Sequence, residues 1–266
     1  MTDDLIWDVK KDRVLRELKK GKRLDGREKK EEREIEITPN YIDRAEGSAM
    51  VKLGDTRVVA GVKIGTGTPY PDSPEEGTLM TSIELSPVSS PGFETGPPRE
   101  KTVELSRVID RGIRESEMVD MEELCIEPGE KVYNVFIDIF PLDHDGNLID
   151  ASAIAAVNAL KNTKLPVYDK EEEKLNREEH AGPLPTQDTP VAKTFSKLGD
   201  EVVLDPQIDE EKAQDARLTI YVNKKDNVCA SQKGGTGAFK REEINKLIEE
   251  AVEKAPETRK KIEENS

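Results

Sequence analysis

The sequence is poor in the residues that usually carry chemistry or cross-links. It has two cysteines, Cys125 and Cys229, far apart in the chain. That excludes the disulfide framework of small secreted domains, and two buried free thiols in a reducing compartment are the expectation. Histidine occurs only at His144 and His180. With no Cys or His cluster and no HExxH run, a zinc centre has no ligand set to draw on. GxSxG is absent and neither cysteine lies in a reactive context, so nucleophilic hydrolysis has no support. Aromatic residues make up 4% of the chain, so a core must be built from Val, Ile, Leu and Ala. No apolar run reaches the roughly 18 residues that a membrane span needs. The first 20 residues are charged where a signal peptide would be apolar. The expectation is a cytoplasmic protein without membrane contact.

Charge is what the sequence has in abundance. Asp, Glu, Lys and Arg make up 36% of the 266 residues, and the formal net charge is −15. A chain so acidic does not coat nucleic acid over its whole surface, so any such contact must be confined to a basic patch. Heavy Glu and Lys usage with few Cys and Met fits a protein from a hot environment, and fits selection for solubility equally well. The length suffices for one large domain or two modest ones, and the periodic apolar residues argue against global disorder.

Periodicity predicts most elements. Residues 3–20 read as an amphipathic helix with Ile6, Val9, Val14 and Leu18 on one side and Gly21 as its stop. A strand is predicted at 34–37, then a hairpin of 47–53 and 57–64 about a Gly54-Asp55 turn. The Gly-, Pro- and Ser-rich stretch 65–98 reads as loop, with one strand at 80–85. Residues 99–116 form the clearest helix, with Leu105, Val108, Ile109 and Ile113 on its apolar face. The apolar run 132–140 reads as a central strand. A turn at 144–147 then leads into an alanine-rich helix at 150–160. A charged linker is expected at 169–180. Strands follow at 191–198, 201–204, 217–222 and 227–232, and a helix at 241–255 precedes a short tail. The order of strands followed by helices, twice over, points to an α+β fold of two similar halves in one domain.

Several polar clusters admit more than one reading. Asp143-His144-Asp145-Gly146-Asn147 looks like a calcium loop. Aligned on Gly146, however, the first and twelfth ligand positions are Pro141 and Ser152, which leaves a polar turn before a helix. Gly65-Thr66-Gly67-Thr68 and Gly234-Gly235-Thr236-Gly237 lack the Lys-Ser/Thr ending of a P-loop and read as turns, although the second could hold an anion on its N–H groups. The acidic run Asp205, Asp209, Glu210, Glu211, Asp215 is either a solvated loop or a magnesium site. On the 99–116 helix, Arg107, Arg111 and Arg114 fall within about 60° of one another, opposite the apolar stripe. They either balance Glu100 and Glu104 on a solvated face or aim at phosphates.

Read together, these segments resemble the RNase PH family of phosphorolytic exonucleases. Arg23-Leu24-Asp25-Gly26-Arg27 with Arg33 resembles that family's RxDGR…R opening, and Gly47-Ser48-Ala49 with Val51, Gly54, Thr56 and Val58 its GSAxVxxGxTxV motif. Glu104-Leu105-Ser106-Arg107 resembles its ELSR segment, and Leu204-Asp205 with the acidic run the segment bearing its aspartate pair. The 66–72 loop, Asp110-Arg111 and Gln232-Lys233-Gly234-Gly235 bring the likeness nearest to the non-catalytic ring subunit of the archaeal exosome.

The resemblance implies a single RNase PH-type domain over residues 22–256, with a helical extension at 1–21 and a tail at 257–266. It implies a ring of three copies alternating with three catalytic sister subunits, RNA in a central channel, and cap subunits with RNA-binding domains on one face. Phosphate would be the sister's co-substrate and Mg²⁺ its ion, with no cofactor on this chain. Active members carry Gly-Ser-Arg before the Ala-rich helix, where this chain has Gly146, Asn147 and Leu148. They carry two aspartates where this chain has Glu211 and Arg217. A subunit without catalytic residues is therefore the expectation, with Arg107, Arg111 and Arg114 as RNA-binding candidates, Arg111 and Arg114 before Arg107. The rivals are an active phosphate-dependent exoribonuclease and an acidic scaffold that never touches RNA.

Overall fold

The structure is a computed structural model that describes the backbone of residues 2–266 and the side chains from residue 10 onward. Ile6 and Val9, two of the apolar positions predicted for the first helix, lie outside the described side chains. The mixed architecture is the α+β class that the alternation of periods predicts.

The first sheet has the order β1-β2-β3-β6-β4. Its strands are β1 (Ile35–Pro39), β2 (Gly47–Leu53), β3 (Thr56–Gly67), β4 (Thr78–Ile83) and β6 (Lys131–Asp143), with the short β5 (Cys125–Glu127) also paired to β6. Only β4 runs parallel to its neighbour, and it forms one edge of the sheet. In β3 and β6 alternate residues point to a core face, Val58, Ala60, Val62 and Ile64 on one strand and Val135, Ile137 and Ile139 on the other. The second sheet is β10-β9-β11-β12, formed by Val191–Leu198 (β9), Glu201–Leu204 (β10), Ala216–Val222 (β11) and Val228–Gly235 (β12).

Three helices lie against both sheets. Helix α2 (Glu100–Glu115) packs on β4 and β12, α3 (Leu148–Lys161) on β2, β3 and β9, and α5 (Arg241–Glu263) on β9, β11 and β1. Helix α3 is buried on every side from Leu148 to Leu160, which explains its alanines: a helix clamped between two layers has room for methyl groups and little more. Outside this sandwich, α1 (Thr2–Lys19) packs Val14 and Leu18 on Leu198, Val203 and Ala213, the last in α4 (Ile208–Ala213).

Three expectations are corrected. The charged linker at 169–180 is instead a hairpin of β7 (Lys164–Asp169) and β8 (Lys174–Pro183), since backbone pairing outweighs the weak strand preference of its charged residues. The acidic run is not a solvated loop. It forms helix α4, with Asp205 and Glu210 buried at its start. Helix α5 does not stop at Ala255 but continues through Pro256 to Glu263, and Thr258, Arg259 and Ile262 are buried in the stretch read as a tail.

Contact between α2 and the second sheet depends on Gly112. A methyl group there would lie 2.1 Å from Cε1 of the fully buried Tyr221 on β11. Gly112→Ala should therefore destabilise the fold by about 1–3 kcal/mol despite alanine's better helix propensity, which is worth roughly 1 kcal/mol. A melting temperature equal to or above that of the parent would contradict this packing.

Candidate functional site

The buried carboxylate of Asp205 is where the segments that resemble the family's motifs meet. Arg33 donates to it from its backbone N (2.9 Å), Nε (2.9 Å) and Nη2 (2.7 Å). Arg27 Nη1 (2.9 Å) and Asn147 Nδ2 (2.8 Å) complete the shell. Burial alone pushes this carboxyl up, but the Arg33 hydrogen bonds, the Arg33 and Arg27 charges and the Asn147 amide outweigh it and hold it well below the usual carboxylate range. Beside it Arg23 makes a two-pronged pair with the buried Glu210, at 2.8 and 2.6 Å. The arginines of the RxDGR…R segment are thus structural anchors, tying the chain after α1 to the turn between β10 and α4.

The same anchors shape the turn before α3. Arg33 Nη1 donates to the Asp145 carbonyl (2.9 Å), and Thr56 Oγ1 donates to that of Gly146 (2.7 Å). Gly146 has φ +90°, and a Cβ there would meet the Pro206 carbonyl at 2.5 Å, so only glycine fits. Asn147, in the left-handed region, caps α3: its side chain accepts from Asp150 N (3.4 Å) and donates to Asp150 Oδ2 (2.8 Å). The next residue, Leu148, is 3% exposed. At the position where active RNase PH-type enzymes carry an arginine for phosphate, an apolar side chain is packed away.

The other half of the candidate site is a 320 Å³ cavity lined by Lys101, Glu104, Leu148, Glu211 and Arg217. Its two carboxylates both face protein cations. Arg217 Nη2 donates to Glu104 Oε1 (2.6 Å), and Lys101 Nζ lies 3.5 Å from Glu211 Oε1. Glu211 also accepts the Asn147 N–H (2.9 Å). Burial pushes Glu211 up, yet Lys101, His144, that N–H and Arg217 together hold it below the ordinary value. Arg217 Nε is buried without a partner among the described residues. A 490 Å³ cleft adjoins the cavity, where the Phe93 ring stacks on His144 at 5.3 Å. Burial pushes the His144 pKa down, against the charge of Glu211. Among the described residues, no group of three His, Cys, Asp or Glu could hold a metal ion, and no helix is long and apolar enough to cross a membrane.

The arginine stripe is exposed on α2, on the side away from the core. Its three members differ, and one expectation is reversed. Glu104 is not Arg107's partner, because Arg217 from β11 reaches it first; Arg107 has no partner among the described residues. Arg111 Nη1 donates to Gln232 Oε1 on β12 (3.1 Å). Arg114 pairs with Asp110 (2.7 Å) and donates to the Leu79 carbonyl on β4, so it is the most committed of the three. The Glu104–Arg217 pair and the Asn147–Asp205 contact were not foreseen. The first was signalled by a cation standing where the family has a carboxylate.

Two sheets clamp a shared helical layer, and an aspartate after β10, anchored by arginines, reaches the turn before the central helix through Asn147. The chain belongs to the 3' exoribonuclease family, known as RNase PH: residues 31–166 match its domain 1 and residues 188–254 its domain 2. It is 48% identical over 259 residues to a Thermococcus gammatolerans protein named Exosome complex component Rrp42, covering 97% of this chain and 95% of that one. A protein of the same name from Archaeoglobus fulgidus is 47% identical over 266 residues, covering 99% and 100%. Among solved structures, a chain of the Archaeoglobus fulgidus exosome with RNA bound to the active site superposes with a TM-score of 0.91 at 47% identity, over 97% of this chain and 99% of that one. A chain of an archaeal exosome core gives 0.88 at 45% identity, over 99% and 100%. Rice Rrp46, at 20% identity and 0.69, shares the fold.

One titration follows from the site. Asp150 is buried and accepts from Thr194 Oγ1 (2.6 Å), Thr194 N (3.0 Å) and Asn147 Nδ2. Burial pushes its carboxyl up from 3.8 to about 7. The fold then holds a proton that the unfolded chain releases above pH 4. This contribution to stability is complete below 3.8 and lost as the pH rises through about 7. Asp150→Asn has no such proton to lose. The melting temperature of the variant minus that of the parent should rise by several degrees between pH 4 and pH 8, then level off. A difference independent of pH would contradict the buried titration.

Proposed function

We propose that this chain is a non-catalytic subunit of an exosome ring that degrades RNA from its 3' end. In this reading, three copies alternate with three catalytic RNase PH-like sisters, complete the sisters' active sites and the RNA channel, and carry a cap of RNA-binding subunits. The full-length relatives named as exosome components and the close superposition on exosome chains support membership of such a complex. The observation that carries the non-catalytic assignment is the Glu104–Arg217 ion pair, which fills the place of a reactive carboxylate with a neutralised cation. Phosphorolysis needs a group to hold phosphate and a carboxylate to hold metal or a proton. Leu148 supplies no hydrogen-bond donor from its side chain, and Arg217 supplies the opposite charge. The exposed arginines of α2 give the subunit its RNA contacts, with Arg107 and Arg111 better placed than Arg114, whose guanidinium is already engaged.

The purified full chain, incubated with end-labelled RNA, Mg²⁺ and orthophosphate, should leave the RNA at full length. Leu148→Arg alone should create no activity, because Arg217 still occupies the metal side. Phosphate-dependent shortening by either protein would contradict the proposal.

A further inference from the structure

The later part of α1 carries a charge opposite to that of the chain as a whole, and none of the features described so far uses it. Residues 10–22 hold seven Lys and Arg against Asp12 and Glu17, a net charge of +5 in a chain of −15. Lys10 pairs with Asp209 (3.5 Å) and Lys11 with Asp215 (3.2 Å), which ties the helix to α4 and the residues after it. Lys20 takes Glu17 (2.8 Å). The side chains of Arg13, Arg16, Lys19 and Lys22 are exposed and make no hydrogen bond or ion pair with a described residue.

Packing of the helix sets where these four point. Val14 and Leu18 are buried against Leu198, Val203 and Ala213. At 100° per residue Arg16 then faces directly away from the protein, with Arg13 and Lys19 about 60° to either side and successive members about 4.5 Å apart along the axis. One acid, Asp12, shares this face, and with Leu15, Arg16, Lys19 and Lys20 it lines a groove of 660 Å³. Basic groups in a last turn complement the helix dipole. That accounts for Arg16 and Lys19, but not for Arg13 a turn earlier or for Lys22 beyond the helix end. The face is also remote from the arginines of α2. Helix α1 lies on the β9–β10 side of the second sheet, whereas α2 packs on β12 at the opposite edge.

An acidic chain confines polyanion binding to a local cationic surface, and long basic side chains in a row along one helix fit the repeating phosphates of a nucleic-acid strand. Residues 10–22 include no aromatic side chain on which a base could stack, so the contact is with the backbone alone. We propose that the outward face of α1, continued by Lys22, is a second RNA site that holds backbone phosphates at the edge of the subunit far from α2. The proposal takes its ligand from the RNA role given above and adds a surface which that role did not include.

The test titrates fluorescent oligouridylate and oligoadenylate over a salt series, with the full chain alone and with the chain assembled with an RNase PH-like sister. One variant combines Arg13→Gln, Arg16→Gln and Lys19→Gln. It should bind both RNAs roughly tenfold or more weakly at low salt and lower the salt slope by about 2, at about 0.7 for each phosphate contact on a single strand. A second variant keeps the charges, with Arg13→Lys, Arg16→Lys and Lys19→Arg, and should keep the parent's slope. A third removes three exposed lysines elsewhere, Lys170→Gln, Lys174→Gln and Lys246→Gln, and should also bind as the parent does. A parent-like slope for the first variant overturns the site, as does the absence of RNA binding by the parent in either form. An equal loss in the charge-keeping variant makes the effect structural, and an equal loss in the third makes it one of net charge; both overturn the site. A loss confined to one of the two RNAs contradicts a backbone contact. Failure of the first variant to join the sister, with RNA affinity of the chain alone intact, makes the face a protein contact and overturns the site too. If no ring assembles yet the chain alone loses RNA as described, the site stands and the ring assignment falls.

Discussion

Burying the carboxylate of Asp205 is the constraint on which the rest of the arrangement depends. An ionised group 1% exposed is tolerable only if every acceptor site is met, and the chain brings five hydrogen bonds to it from two other segments. Arg27 and Arg33 come from the segment after α1, Asn147 from the cap of the central helix, and Asp205 itself from the turn after β10. Meeting that demand therefore draws both sheets and α3 to one point. Removing one partner of a buried pair typically costs about 3–5 kcal/mol, more than most single apolar contacts in a core contribute. The cooperation of the two halves is electrostatic here and hydrophobic elsewhere.

This anchor holds the family scaffold together independently of any reaction at the neighbouring cavity. The residues that resemble the family's opening motif bind other parts of the chain: Arg23 holds Glu210, Arg27 and Arg33 hold Asp205, and Thr56 holds the turn at Gly146. They are needed for the fold whether or not a reaction takes place. Of the positions that differ, Leu148 and Arg217 line the neighbouring cavity and hold nothing in the anchor, whereas Asn147 donates to Asp205. Leu148 packs into the core, and Arg217 pairs with Glu104. Substitution there leaves the architecture intact while removing the charges a phosphorolytic site requires.

Much of the fold was legible in residue spacing. The period-3.6 stripe of Leu105, Val108, Ile109 and Ile113, the apolar run of β6 and the alanines of α3 each mark a side that must be buried, and burial is what periodicity encodes. Segments held by other forces were not legible. The β8 strand of the β7–β8 hairpin is largely polar, charged and exposed, so it carries no apolar alternation. Helix α5 runs through Pro256 because Ala255, Thr258, Arg259 and Ile262 are buried on either side of it. The electrostatic site was the least readable. Glu104 lies three residues from Arg107 in sequence, yet its partner is Arg217, 113 residues away, and only the meeting of α2 with β11 reveals it. Leu148 and Arg217, two positions that depart from the family pattern, could be named from the motifs alone, since they need only identity and order.

Under the proposed function, this subunit shapes an RNA-degrading particle without performing its chemistry. The most direct measurement uses a ring assembled from the intact chain and a sister whose own phosphate-turn arginine has been replaced by alanine. Such a ring should assemble and retain RNA, yet release no nucleoside diphosphate from RNA supplied with orthophosphate and Mg²⁺. Phosphate-dependent release of nucleoside diphosphates from that particle would place the reaction on this chain and contradict the account.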